Sequence, residues 1–388
     1  MIASFLGQLS VTFREVFMKK LIAFGLSVLF LALILADCDS DSASGNENNT
    51  GDETPLYYYS VSIPTADEEA EQFLSVLLQY KWYQDMGYTH VTLPSHPVIN
   101  PLKAKVLNNE TLTTGEQAQA KSVFKTDLYN AADYQKSLAA VKAAAATADK
   151  QIDSLKRYQT AWGFFIPAKY NIQLTVYGPG GQYNPSTGRI IYLVNKNGQF
   201  DRKPLWTILH ESVHIGIEDR IIQGYKLQHW VKERIVDQFV KKQFGSVVPD
   251  YQMQNIQLPA IDKMFQNSDV LDKLPQRVEE MLAGIKQEGI NKAVYVATSS
   301  TPTPLEGYWV NTVSSDTAYV FKGNGFVEIS NGEIYNYGTF TVSATQISYK
   351  PSSGSSISSS WTQPYEFRGG SLNLEWIQNH CYGSFKKE

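Results

Sequence analysis

Residues 204–217 read PLWTILHESVHIGI, and this stretch decides how the rest of the chain is interpreted. Proline has a fixed φ that suits the first turn of a helix, so we predict a helix that begins near Pro204. Its apolar residues recur at helical spacing and mark the side that faces a core: Leu205, Ile208, Leu209, Val213 and Ile217. His210 and His214 are four residues apart and therefore project from the same face of this helix.

The two histidines and the glutamate that follows the first of them form a His-Glu-x-x-His pattern. Two neutral imidazoles one helical turn apart can bind one Zn²⁺ ion, and the carboxylate of Glu211 can reach a water at an open coordination position. Zinc makes such a water easier to deprotonate, so Glu211 is placed to act as its general base. We therefore expect His210 and His214 to be metal ligands, Glu211 to be catalytic, and the reaction to be hydrolysis of a peptide bond.

A catalytic zinc site needs a third protein ligand, and Glu233 in the next predicted helix (about 227–244) is the candidate. With eighteen residues between His214 and Glu233, the sequence resembles the gluzincins, the thermolysin-like and aminopeptidase-like zinc peptidases. Asp237 stands where thermolysin-like members have an aspartate that orients a zinc-bound histidine. The resemblance covers about thirty residues. It implies a zincin-like fold, a zinc cofactor and a peptide or protein substrate.

Other residues stay open as the third ligand, namely His229, Glu218 and Asp237. Glu218 shares the face of His214, but three ligands along one straight helix are unusual, so an outer hydrogen-bonding role is favoured for it. Tyr225 and Tyr251 lie in the right part of the chain to stabilise negative charge on a reacting oxygen, and the sequence does not choose between them. The resemblance also implies that a strand before the helix forms the edge of the substrate cleft.

The N-terminal region has the features of an export signal. Two lysines precede an apolar run over 21–36, which is short for a membrane-spanning helix. The run ends at Leu35-Ala36-Asp37-Cys38, which resembles the processing site of bacterial lipoproteins, in which the cysteine is acylated. Asp37 departs from that site, where a small residue is usual, so an uncleaved membrane anchor stays open.

The resemblance implies a protein that is exported to the bacterial cell envelope and held at a membrane through a lipid on Cys38. After this export segment (1–38), residues 39–55 are polar, acidic and almost free of apolar groups. Such a segment cannot offset the entropy cost of ordering by burying surface. We therefore predict that 39–55 is a disordered tether.

Beyond the tether the chain has the hydrophobic pattern of a globular protein. Helical spacing appears at about 66–86 and again at 258–290, and an alanine-rich stretch at about 133–161 predicts a solvated helix. Alternating apolar residues between about 171 and 194, interrupted by glycine-rich turns, predict strands. We interpret 56–298 as an α+β domain, a zincin-like metallopeptidase domain with a small sheet and helices.

A Ser/Thr/Pro-rich linker at 299–304 is the clearest domain boundary, and 305–388 has a different character. Short strand-like runs alternate there with Gly, Asn and Ser turns, at 308–310, 318–321, 325–329, 338–342 and 346–349. They predict a small antiparallel β barrel or sandwich. The run Gly307-Tyr308-Trp309, with the strands that follow, is similar to the lipocalin-like domains of bacterial surface lipoproteins.

The composition excludes some classes of function. A net charge of -4 over 388 residues provides no broad positive field, so we expect no nucleic-acid partner. The only two cysteines, Cys38 and Cys381, cannot form a disulfide framework. Two alternatives to an enzyme stay open: a surface lipoprotein that binds a ligand and keeps a structural or inactive zinc site, and an envelope scaffold without metal. Glu211 favours the enzyme, because a structural site has no use for a carboxylate next to the metal.

Overall fold

The computed structural model describes residues 56–377 and 380–388, which belong to one compact unit. The predicted export segment with Cys38 and the predicted tether (39–55) lie outside the described residues. In the part of the chain that the structure describes, no helix is both long and apolar enough to cross a membrane. The protein is a mixed α+β structure, in which a small sheet with helices is followed by a closed barrel of eight strands.

The small sheet has four strands in the order β1-β2-β4-β3. Their bounds are Tyr59–Ser62 (β1), Tyr170–Thr175 (β2), Gly181–Asn184 (β3) and Arg189–Leu193 (β4). The strands β1, β2 and β4 are parallel, whereas β3 is antiparallel to β4 and forms one edge. Strands are therefore present between 171 and 194, as predicted, and the glycine-rich turn leads into the additional edge strand β3.

Within the described residues, six α-helices precede β2 and four follow β4. The first six are Ala66–Leu78 (α1), Tyr80–Asp85 (α2), Ile99–Leu107 (α3), Thr114–Val123 (α4), Ala132–Ile152 (α5) and Lys156–Trp162 (α6). The last four are Pro204–Ile217 (α7), His229–Phe244 (α8), Pro259–Met264 (α9) and Leu274–Val296 (α10). Helix α7 begins at Pro204, as predicted, and continues into a π-helical turn, Glu218–Gln223.

The alanine-rich helix α5 is exposed on one face only, so the prediction of a solvated helix was wrong for the opposite face. Val141, Ala145, Ala148 and Ile152 recur on one face of α5 and are fully buried. This helix packs against β1 and against α7, the helix that carries the two histidines. Alanine loses no side-chain entropy on burial and lets neighbouring elements approach closely. Because its side chain is so short, a buried alanine face gives only a weak hydrophobic signal in the sequence.

The predicted helical region at 258–290 is divided into two helices, α9 and α10. Turns occupy the residues between Phe265 and Lys273, and Pro275 lies in the first turn of α10. Helix α10 then packs on the outer face of β6, β7 and β8 of the barrel. A Cβ atom added at Gly289 would lie 3.0 Å from Ile329 Cδ1, which shows how closely helix and barrel approach.

The C-terminal part is a closed antiparallel barrel with the strand order β10-β11-β12-β5-β6-β7-β8-β9. Its strands are Gly307–Asn311 (β5), Ala318–Lys322 (β6), Gly325–Ser330 (β7), Glu333–Val342 (β8), Gln346–Pro351 (β9), Trp361–Arg368 (β10), Ser371–Leu374 (β11) and Gly383–Lys387 (β12). The barrel closes where the first and last strands of this order, β10 and β9, pair with each other. The barrel, rather than the sandwich, is confirmed.

Aromatic and aliphatic side chains fill the interior of the barrel. They are Trp309, Tyr319, Phe321, Phe326, Phe340, Ile347, Tyr349, Leu372, Leu374 and Phe385. The five predicted runs correspond to β5 to β9, whereas β10, β11 and β12 were not predicted. Strand β10 contains Pro364 and several polar residues, which hide its alternation.

Candidate metal centre

Helices α7 and α8 bring the predicted ligands together. Helix α7 is buried from Trp206 to Ile217, so His210 and His214 lie inside the protein. Glu233 lies in the second turn of α8, which packs against α7. All three side chains are buried.

The three side chains converge on one point. His210 Nε2 lies 3.0 Å from His214 Nε2, and the Glu233 carboxylate lies 3.3 Å from the first nitrogen and 3.4 Å from the second. Ligands of a tetrahedral zinc ion, at bond lengths of roughly 2.0–2.1 Å, are about 3.3–3.4 Å apart. The separations therefore fit a single small cation, and these residues form a buried group that can hold a metal ion.

The electrostatics of this group also favour a cation. Burial opposes a proton on His210, but Asp237 and Glu233 raise the pKa of its imidazole to about 9. Burial lowers the pKa of His214 to about 3 and so keeps that ring neutral, which is the metal-binding form. Burial also opposes the charge on Glu233, yet the two imidazoles hold the pKa of its carboxyl well below the ordinary value. The cluster thus attracts positive charge, as a metal site must.

Asp237 and Tyr251 hold His210 from behind. The Tyr251 hydroxyl donates to Asp237 Oδ1 at 2.6 Å, so its oxygen is free to accept from His210 Nδ1 at 2.8 Å. Asp237 Oδ1 itself lies 3.3 Å from the same nitrogen, and its Oδ2 accepts the backbone N–H of Gln254 at 2.6 Å. A proton on Nδ1 leaves the lone pair of Nε2 directed at the metal point. The structure thus places Asp237 where an orienting carboxylate belongs.

His214 is oriented by stacking instead of by a hydrogen bond. Its Nδ1 is buried and has no hydrogen-bond partner among the described residues. The Tyr183 ring of edge strand β3 lies parallel to the imidazole, with the centroids 4.6 Å apart and 7° between the planes. Tyr183 is itself fixed, because its hydroxyl donates to Glu218 at 2.6 Å. Glu218 therefore acts as an outer hydrogen-bond acceptor, the role that was favoured for it.

The other candidate for third ligand, His229, points elsewhere. Its Nδ1 is 3.8 Å from Glu233, and its Nε2 forms a hydrogen bond of 2.9 Å with the Tyr88 hydroxyl. The group of potential ligands within the described residues does not include it. The Gln254 side-chain amide donates at 2.7 Å to Glu233 Oε2, the oxygen that lies 3.3 Å from His210 Nε2. The geometry therefore selects Glu233 over its rivals.

Glu211 follows His210 on α7 and is buried in a tightly packed position, where its charge interacts with His210 and Glu233. A Cβ atom added at Gly181 of β3 would come within 2.1 Å of Glu211 Oε1 and 2.8 Å of the Thr207 methyl group. Any larger residue there would have to displace the Glu211 side chain, because the edge strand runs directly against the carboxylate. Burial, above all, raises the pKa of the Glu211 carboxyl to about 7. A base with such a pKa can accept and return a proton near neutral pH.

The barrel holds the N-terminus of the helix that carries Glu233. Gln228, the residue before α8, donates its backbone N–H to Asp316 Oδ2 at 2.8 Å and its side-chain amide to Thr317 Oγ1 at 2.5 Å. Asp316 is buried in the loop between β5 and β6. A carboxylate at this end of a helix interacts favourably with the helix dipole. The barrel thus contributes to the position of a ligand.

An open cleft of about 550 Å³ adjoins the centre. Tyr88, Trp230 and Gln254 are among its lining residues, and Gln254 is the residue that donates to Glu233. Gln254 therefore connects the cleft to the carboxylate of the predicted ligand Glu233.

Sequence reasoning missed three residues around the centre: Tyr88, Tyr183 and Gln254. The expectation that a strand before α7 borders the cleft was the one signal for Tyr183, whereas no spacing marks the other two. Of the two tyrosines considered as charge stabilisers, Tyr251 lies behind His210, and Tyr225 donates to Glu279 at 2.9 Å. Comparison of the chain with protein-family models, characterised proteins and solved structures gave no significant match.

Proposed function

We propose that this protein is a zinc-dependent peptidase of the gluzincin type, with a zincin-like fold around α7. The observation that carries the proposal is the convergence of His210, His214 and Glu233 on one buried point, with the buried Glu211 carboxylate on the same helix interacting electrostatically with His210 and Glu233. The resemblance to lipoprotein processing sites at Cys38 supports export to the bacterial cell envelope with a lipid anchor. The substrate would then be a peptide or protein at the membrane surface.

The residues of the centre fit zinc in number and chemistry. Two imidazole nitrogens and one carboxylate are the ligand set of many catalytic zinc sites, which leave one position open. His210, His214 and Glu233 would hold the ion. Zinc would supply Lewis acidity, which polarises a peptide carbonyl and makes water a better nucleophile.

The other steps belong to side chains of this protein. The Glu211 carboxylate takes the proton from the attacking water and later delivers it to the leaving amine. Asp237 and Tyr251 keep His210 in the tautomer that points Nε2 at the metal. Tyr183 fixes the plane of His214 by stacking. Gly181 keeps the edge strand close to Glu211 without displacing it.

The test is hydrolysis of a fluorogenic peptide library by the purified protein and by Glu211→Gln, with the zinc content of both measured. We expect unchanged zinc and a rate lower by about 100-fold to 10,000-fold, the usual contribution of a general base. Glu288→Gln, an exposed position on α10, is the matched control and should keep full activity. Equal hydrolysis by the wild type and Glu211→Gln would exclude the mechanism.

Gly181→Ala tests the same carboxylate without changing any ligand. The added methyl group must displace the Glu211 side chain, so we expect a loss of activity on the order of 10-fold or more, with zinc retained. Full activity of Gly181→Ala would mean that the position of Glu211 has no influence on the reaction.

A further inference from the structure

The cleft beside the metal centre has an apolar, aromatic wall. The Trp230 indole packs on the Tyr88 ring, with the centroids 5.9 Å apart and 28° between the planes. Pro179 and Ile256 complete the apolar surface, and the polar residues of the lining are Thr89, His90, Gln254 and Asn255. The described residues that line the cleft include no Asp, Glu, Lys or Arg.

This wall is attached directly to α8, the helix that carries Glu233. Trp230 precedes the ligand Glu233 by three residues on α8 and therefore shares a helix face with it. Tyr88 is joined to α8 through its hydrogen bond of 2.9 Å to His229 Nε2. A group bound in the cleft would therefore lie against the helix that carries Glu233 and against Gln254, which donates to the Glu233 carboxylate.

The wall is also preformed. Thr92 and Gly178 exchange two backbone hydrogen bonds of 2.8 and 2.9 Å, which pin the segment after Tyr88 to the turn before β3. That turn holds Pro179 between Gly178 and Gly180, whose φ values of 134° and 139° are accessible to glycine but strained for other residues. A ligand therefore does not have to order these residues when it binds.

The apolar wall favours some classes of side chain over others. A charged side chain would lose hydration in this cleft without gaining an opposite charge, which is unfavourable. An aromatic side chain can bury its large surface against Trp230 and stack on it. Branched aliphatic side chains bury less surface but carry no polar group.

We propose that this cleft binds a large uncharged side chain of the substrate, preferably aromatic, adjacent to the peptide bond that is cleaved. The inference rests on the proposed peptidase function and adds a substrate class to it. Trp230 and Tyr88 are the residues that determine the preference.

Kinetics on four peptides that differ at one position, Phe, Leu, Asp or Lys, test the preference. We expect kcat/KM to be about 10-fold to 200-fold higher for the Phe and Leu peptides than for the Asp and Lys peptides, a range typical of discrimination by an apolar pocket. Trp230→Ala should reduce this ratio to about 3-fold or less and leave zinc content unchanged. Trp376→Ala, an exposed tryptophan after β11, is the matched control and should keep the ratio.

A second variant covers the case in which Trp230→Ala does not fold. Asn255 lines the same cleft and is exposed, so Asn255→Arg adds a positive charge without disturbing the core. We expect the Asp peptide to gain about 10-fold in kcat/KM relative to the Lys peptide in this variant. An unchanged ratio between these two peptides would contradict the inference.

A binding measurement does not depend on turnover. We expect the Phe peptide to bind Glu211→Gln at least about 10-fold more tightly than the Asp peptide in calorimetry, and the addition of Trp230→Ala to abolish the difference. If the wild type cleaves no peptide but this Trp230-dependent binding is seen, the cleft binds such a side chain, whereas the peptidase proposal and the placement beside a cleaved bond both fail. Hydrolysis that depends on Glu211 but shows no side-chain preference overturns the cleft inference alone. The absence of both preference and binding overturns it as well.

Discussion

Two buried clusters of this protein place a glutamate against a histidine, and they differ in what completes them. In the barrel, Glu328 Oε1 accepts the backbone N–H of Cys381 at 2.5 Å. Its Oε2 accepts the Asn336 amide at 2.6 Å and lies 3.3 Å from His380 Nδ1. Every carboxylate oxygen there has a protein donor. In the metal centre, Glu233 Oε2 accepts from the Gln254 amide, but the carboxylate also lies 3.3 and 3.4 Å from two imidazole nitrogens that are themselves only 3.0 Å apart.

The difference shows that a buried contact between a histidine and a carboxylate does not by itself indicate a metal site. A metal site is indicated when several ligand atoms direct their lone pairs at a single position and too few protons are present for them to form hydrogen bonds with one another. His210 has its Nδ1 occupied by Tyr251 and Asp237, so only Nε2 is directed at Glu233 and His214. The barrel cluster is a satisfied polar network, whereas the three residues of the metal centre can hold a metal ion.

Removal of Glu233 should have the largest effect. Zinc binding by four protein ligands is worth roughly 10–16 kcal/mol, so the loss of one ligand costs on the order of 3–4 kcal/mol. We expect Glu233→Ala to weaken zinc affinity by about 100-fold to 1,000-fold. Competition with a chelator of known affinity measures this. Unchanged zinc affinity would point to His229 or Asp237 as the actual ligand.

The corresponding change in the barrel should affect stability and leave the metal alone. Glu328→Ala leaves the donors of Asn336 and Cys381 buried without an acceptor, which we expect to cost about 3 kcal/mol of unfolding free energy. Chemical denaturation measures the loss. Zinc content equal to that of the wild type is expected in the folded protein, and a loss of zinc would mean that the two clusters are not independent.

A third buried carboxylate, Glu69, sharpens the contrast because its donors are neutral. It accepts from the Thr175 hydroxyl at 2.8 Å and the Val176 backbone N–H at 3.0 Å, and burial raises its pKa from 4.5 to about 7. Ionisation of Glu69 therefore destabilises the fold. The cost is absent below pH 4.5, grows as the pH rises and is fully present above pH 7.

Glu69→Gln should remove this cost. We expect the variant to gain about 2–3 kcal/mol over the wild type above pH 7 and nothing below pH 4.5. Thermal unfolding of both proteins from pH 4 to pH 8 checks the difference. A constant offset between the two curves would show that Glu69 does not titrate in this range.

A smaller effect is expected from Asp237→Asn, which keeps the shape of the side chain but removes the charge behind His210. Partners of this kind usually contribute 10-fold to 100-fold in metal affinity, so we expect a loss of about 10-fold. Asp262→Asn, which breaks an ion pair of Arg234 on the same helix, is the matched control and should not change zinc affinity. Equal losses in both variants would assign the effect to α8 rather than to His210.

The sequence predicts the centre better than it predicts the surroundings. Its ligands lie within two neighbouring helices, and helical geometry alone brings His210 and His214 together. The residues that orient or enclose the centre are far apart in the chain: Tyr88 follows α2, Tyr183 lies on an edge strand, and Gln254 lies in a loop after α8. Such contacts depend on tertiary packing, which has no local spacing to reveal it.

Weak local sequence signals also explain which parts of the fold were predicted and which were missed. The alternation of apolar residues predicted five strands of the barrel, yet β10 to β12 carry proline and polar residues and were missed. The buried alanine face of α5 was interpreted as solvated because its side chains are small. Length and strong periodicity were informative, and weak amphipathicity was not.

The most direct test is anomalous diffraction at the zinc absorption edge from crystals of the wild-type protein. We expect one peak about 2.0–2.2 Å from His210 Nε2, His214 Nε2 and a carboxylate oxygen of Glu233. The absence of a peak at this point in zinc-loaded crystals, or a peak held by other residues, would contradict the account.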